Sequence, residues 1–228
     1  MTENTDNSEF AGLYKVAFYA SLAMLAIIPV QILVYTVFPM PTSVAGWFAL
    51  FDSNFLVGIF HADIFILINN ILIAVIYLAF YHSLKDETDK GLLQIALVLG
   101  FIGIAAYISS NKTFELASLS RLYASATGDS ERAMLLAAGQ AMVSGWTGTA
   151  FDAYYVLNGI TLLIIAGLMF RSKTYTKATA GFGLAAGILM VVPSTAGIVG
   201  LIFSLLSLIP WYVFTIRFAF VFRRLGAK

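Results

Sequence analysis

The chain has no cysteine and two histidines in 228 residues, and only 11% of it is charged. Missing cysteines exclude disulfides, thiolate metal sites and cysteine nucleophiles together, and leave the redox compartment open. A formal charge of +1 without a clustered Lys/Arg patch removes the electrostatic footprint of a nucleic-acid binder. No lysine sits mid-run to anchor a retinal Schiff base, no arginine ladder suggests a voltage sensor, and no glycine loop before a lysine would cradle a phosphate. No nucleophile and base stand at a diagnostic spacing, so no catalytic residue is assigned and enzymatic activity is left undecided.

What is abundant is apolar surface, since 60% of the residues are hydrophobic. That exceeds the share in an ordinary soluble domain. The fold class that follows is an all-α integral membrane protein, a single bundle over residues 1–228 in contact with the lipid bilayer. About six transmembrane helices are predicted, at residues 14–38, 60–82, 91–110, 150–170, 178–192 and 197–222. The leader carries Glu3, Asp6 and Glu9 before its first base, Lys15, the reverse of a secretory signal. The first run therefore reads as an uncleaved helix that stops at Pro39 and Pro41. Residues 40–59 read as a linker without Lys or Arg, whose Trp47 to Phe51 patch suits a membrane interface.

Residues 111–147 differ, because charges recur among apolar residues at helical spacing. Leu116, Leu119, Tyr123 and Ala126 make one face, and Lys112, Glu115, Ser118 and Arg121 another. Thr127, Gly128, Asp129 and Ser130 supply a stop and a new start, and Met134, Leu135, Ala138 and Met142 make a second apolar face. The expectation is an amphipathic helical hairpin. Charge decides its side. With the hairpin outside and six spans, Lys15, Lys85, Lys90, Arg171, Lys173, Lys177, Arg223 and Arg224 all fall inside, as the positive-inside tendency demands. Both termini are then cytoplasmic in a multi-pass protein of the cell membrane.

Within the second span Asp63, Asn70 and Tyr77 recur at steps of seven and share a helical face. The proposed topology gathers His61, Asp63, Asn70, Glu115, Asp152, Tyr155 and Asn158 in the outer half as candidates for a ligand pocket. Against this stands a bland alternative: a carboxylate beside a helix N-terminus is favoured by the macrodipole alone, and intramembrane asparagines serve helix packing. A metal site is not assigned, and no cofactor is named. His82 lies twenty-one residues along the helix from His61, about 31 Å away at 1.5 Å per residue, so the two cannot share an ion.

Gly183 and Gly187 form a GxxxG that reads as close packing within the bundle or as a face for a second copy. Asn111, Lys112 and Thr113 form a glycosylation sequon, and Pro210 a kink in the last span. The segment LASLSRLYASATGDSERAMLLAAGQAMVSGWTGTAFDAYYVL, residues 116–157, with MFRSKTYTKATA and WYVFTIRFAF, resembles bacterial multi-pass membrane proteins grouped as domain of unknown function 4386. The resemblance covers the C-terminal half and implies a prokaryotic membrane bundle without implying an activity. The sequence thus points to a membrane protein, non-enzymatic, with an outward polar pocket for a small ligand, lipid or partner protein. A small-solute transporter and a metal-dependent intramembrane enzyme are the alternatives.

Overall fold

The computed structural model describes residues 9–227, and among them all regular structure is helical. In chain order the helices are α1 (Ala11–Val37), α2 (Val44–Ser53), α3 (Phe55–His61), α4 (Ile64–Leu84) and α5 (Lys90–Ser110). They are followed by α6 (Thr113–Ser125), α7 (Asp129–Trp146), α8 (Thr149–Met169), α9 (Lys177–Met190) and α10 (Gly197–Gly226). Among the described residues five stretches are long and apolar enough to cross a membrane: Ala11–Val37, Ile64–Leu84, Lys90–Ser125, Asp129–Met169 and Gly197–Gly226. The third and fourth are interrupted, at Asn111 and Lys112 and again at Thr147 and Gly148. Helix α9, with 14 residues, is shorter.

Six helices close into a ring, α1 against α4, then α5, α8, α9, α10 and back to α1. The ring is solid at one end. There Tyr14, Phe80, Phe214, Phe218, Phe222 and Met169 are fully buried against one another, and edge-to-face pairs such as Phe80 with Phe218, 5.0 Å apart, fill it. The turns at this end are tied together through Glu87. Its carboxylate accepts from the hydroxyl of Ser172 and from the backbone N–H groups of Lys173 (2.8 Å) and Thr174 (3.1 Å). Partial burial works to raise this carboxyl, but those hydrogen bonds outweigh it and hold it below the ordinary glutamate value.

At the other end α2, α3, α6 and α7 form a cap with its own core of Trp47, Phe48, Phe51, Leu116 and Trp146. This corrects the reading of residues 40–59 as a linker with an interfacial patch. Ser43 caps α2 by accepting from the Gly46 N–H (3.1 Å), and Asn54 caps α3 by accepting from the Val57 N–H (3.1 Å). With no Lys or Arg to hold the segment in water, its aromatic side chains turn into the cap: Trp47, Phe48 and Phe51 are each less than 5% exposed. The candidate hairpin region folds as α6 and α7, which pack on each other.

The outer wall of the ring is apolar. Leu33, Ile95, Val98, Ile102, Ile198, Leu205, Ile209 and Phe220 are among the large hydrophobic side chains left exposed, a surface suited to lipid. Gly183 and Gly187 face inward. A Cβ on Gly183 would lie 2.9 Å from the Phe214 ring, and one on Gly187 2.9 Å from Leu163 Cδ2. These glycines let α9 approach α8 and α10 of the same chain, and both are buried there.

Candidate functional site

The cap end of the ring is built around an interruption. The sequence predicts one helix over residues 60–82, but the chain stops at His61, turns through Ala62 and Asp63, and restarts at Ile64. Asp63 takes a left-handed conformation, φ 66°, the one positive φ outside glycine among the described residues. Such a conformation is strained for a residue with a Cβ and persists only where its surroundings enforce it. Here they do. The carbonyl of Phe60 accepts from Gln31 Nε2 (3.1 Å), and that of Ala62 from Asn111 Nδ2 (3.0 Å) and Thr113 Oγ1 (2.5 Å). The sequon residues Asn111 and Thr113 are thus engaged in holding the break.

Asp63 begins α4 without capping it, since its side chain accepts no hydrogen bond from the first turn. Instead the carboxylate accepts the hydroxyl hydrogen of Tyr35 on α1. The hydroxyl of Tyr107 and the indole N–H of Trp146 interact with the same carboxylate, although neither makes a direct hydrogen bond. His61, fully buried, stacks under Tyr35 with ring centroids 5.3 Å apart and meets Trp47 edge-on. The macrodipole accounts for a carboxylate at this position. It does not account for one turned away from the helix it begins.

Asp63 lines a cavity of about 330 Å³, at the small end of ligand pockets, which run roughly 300–1,000 Å³. Its polar wall includes Gln31, Tyr35, Asp63, Asn69, Tyr107, Tyr154 and Tyr155, and its apolar wall Ile28, Ile66, Ile73, Met190, Leu208 and Trp211. Among the described residues no Lys or Arg lines it. Three of its polar residues, each at least nine-tenths buried, keep an atom without a hydrogen-bond partner: Gln31 Oε1, Asn69 Oδ1 and the Tyr107 hydroxyl. These three atoms are closed off from the void, so the polar group of the wall that stays accessible beside it is the half-buried Asp63.

An apolar groove on the outer side of the ring, between α1 and α10, shares Ile28, Ile32 and Leu208 with the cavity as a common wall. A proline lies inside each of these helices, Pro29 in α1 and Pro210 in α10. Of the two, only Pro210 was expected from the sequence to mark a kink.

Of the residues singled out in the sequence, Asp63 and Tyr155 line the cavity. Tyr155 shares a hydrogen bond with Ser204 at 3.2 Å. His61 supports the wall from behind. Asn70 turns back on its own helix, donating to the Ile66 carbonyl at 2.9 Å. Asn158 accepts from the Tyr77 hydroxyl at 2.6 Å in the seam of the ring. Asp152 accepts from Thr195, and Glu115 stays exposed on α6 because its face of that helix is the polar one. Gln31, Tyr35, Asn69, Tyr107 and Tyr154 were not among the candidates. Gln31 carried a signal, as the one amide in an otherwise apolar first helix, four residues before Tyr35 and so on the same face.

No family model, curated protein or solved structure matches the chain. Among the described residues no three His, Cys, Asp or Glu side chains come together as a metal site would need. His61 and His82 belong to opposite ends of the ring, one stacked on Tyr35 and the other on Phe10.

Proposed function

We propose that this chain is a multi-pass membrane protein that binds a small amphiphilic molecule in the cavity beside Asp63, without catalysing a reaction on it. The observation that carries this reading is the Asp63 carboxylate, which turns away from the helix it begins and lines the void with only the Tyr35 hydroxyl as a direct partner. In the topology we favour, α1, α4, α5, α8, α9 and α10 each cross the membrane, both termini are cytoplasmic, and the cap with its α6 and α7 hairpin lies outside. The distribution of Lys and Arg supports that orientation. The cavity then opens in the outer half of the bilayer. Membership of the bacterial family that residues 116–157 resemble belongs to the same proposal.

A second reading, transport of the bound molecule, draws support from the interruption at Asp63. Broken helices at mid-bundle sites are a recurring device of transporters. Native mass spectrometry on protein extracted in mild detergent tests binding for both readings. Wild type is expected to carry a small molecule, and Ser207→Trp, which fills the cavity from α10, to lose it. A clean mass for the wild type, with no gain on adding lipid extract, contradicts the proposal.

A further inference from the structure

The cavity's chemistry also selects among amphiphiles, an inference that rests on the binding function proposed above. At its polar end Asp63 carries a carboxylate whose one direct hydrogen-bond partner is the Tyr35 hydroxyl. Among the described residues no Lys or Arg lines the void to balance the acid. Aromatic rings of Tyr35, Tyr107, Phe151, Tyr154 and Tyr155 surround the same polar end. A carboxylate and aromatic faces are together the recognition elements for an ammonium group. A carboxylate or phosphate head would meet repulsion from Asp63.

The apolar wall of the cavity, with Ile28, Ile66, Ile73, Leu208 and Trp211, gives an alkyl or aryl tail a place beside the polar end. We infer that the occupant is an organic amine with an apolar tail, bound as its ammonium with an N–H group donating to Asp63.

The probes are n-octylammonium, octyltrimethylammonium, 1-octanol and octanoate, matched in tail and differing in head. Binding to the full chain in zwitterionic lipid nanodiscs is followed by calorimetry, with empty nanodiscs subtracted. Octylammonium is expected to bind saturably and about tenfold or more tighter than octanol, because it makes charge-assisted hydrogen bonds that octanol lacks. Octyltrimethylammonium is expected to be intermediate, and octanoate weakest. Asp63→Asn should erase the preference for octylammonium over octanol while leaving octanol binding in place. The order of the probes on wild type tests the inference even if that variant does not fold. Octanol or octanoate binding as tightly as octylammonium overturns the choice of an amine and leaves a ligand cavity standing. No saturable binding by any probe overturns both.

Discussion

The hydroxyl of Tyr212 on α10 donates to the backbone carbonyl of Leu25 on α1. Leu25 stands four residues before Pro29, so its carbonyl is the one that proline, lacking an N–H, leaves without its helical partner. In a membrane an unpaired carbonyl has no water to turn to, and a side chain from a neighbouring helix is a standard remedy. The bond therefore fastens the two helices that border the apolar outer groove, at the point where one of them lacks a backbone hydrogen bond.

Tyr212→Phe should cost about 1–2 kcal/mol of stability, the cost of a lost hydrogen bond with the acceptor left buried. The same substitution in a Pro29→Ala background should cost much less, because an alanine at that position restores the backbone donor. A double-mutant cycle in mild detergent reads the coupling. Additive effects would show that Tyr212 does not serve the carbonyl that Pro29 frees.

Close approach of α5 to its neighbours depends on two glycines. A Cβ on Gly100 would lie 2.5 Å from Tyr77 Cε2, and one on Gly103 would press closer still on Asn158 Nδ2. Either Gly→Ala change should destabilise by about 1–3 kcal/mol through overpacking. Both also press on the buried Tyr77 to Asn158 hydrogen bond. Gly181→Ala on α9 is the control. Nothing lies within 4 Å of its Cβ position, and helix propensity predicts a gain of up to about 1 kcal/mol. Thermal unfolding of the three variants separates packing from propensity.

Glu87 gives the closed end a pH dependence with a defined sign. Its carboxyl is held below the ordinary value by the donors of residues 172–174. The stability it adds is fully present above the unfolded value of about 4.3, and is lost as pH falls below that through the lowered folded value. The effect should be small, since the residue is exposed. Stability of wild type should drop more steeply below about pH 4.5 than that of Glu87→Gln. Parallel curves would contradict the assignment.

Long apolar runs made the helices α1, α4, α5, α8, α9 and α10 legible, because hydropathy and proline stops act locally. The cap was harder to see. Residues 40–59 have neither a basic residue nor a clear period, and only the burial of Trp47 and Phe48 against Leu116, far along the chain, gives them a reason to fold. The site was half legible. Asp63 stands out as an acid at the head of an apolar run, whereas Tyr35, Tyr107 and Tyr154 look like ordinary interfacial aromatics until the ring brings three helices together around it. The interruption at Asp63 was also hidden, since the donors that satisfy it, Gln31, Asn111 and Thr113, come from other parts of the chain.

Occupancy of the void beside Asp63 by a ligand is tested most directly by photolabelling. An octylamine carrying an aliphatic diazirine is irradiated with the wild-type protein in nanodiscs, and the labelled residues are mapped by mass spectrometry. Labels are expected on the cavity wall, at Ile73, Tyr154 or Trp211, and should disappear with excess unlabelled octylammonium. Labels confined to the lipid-facing side chains Ile198, Leu206 and Ile209, and indifferent to competitor, would contradict a ligand site there.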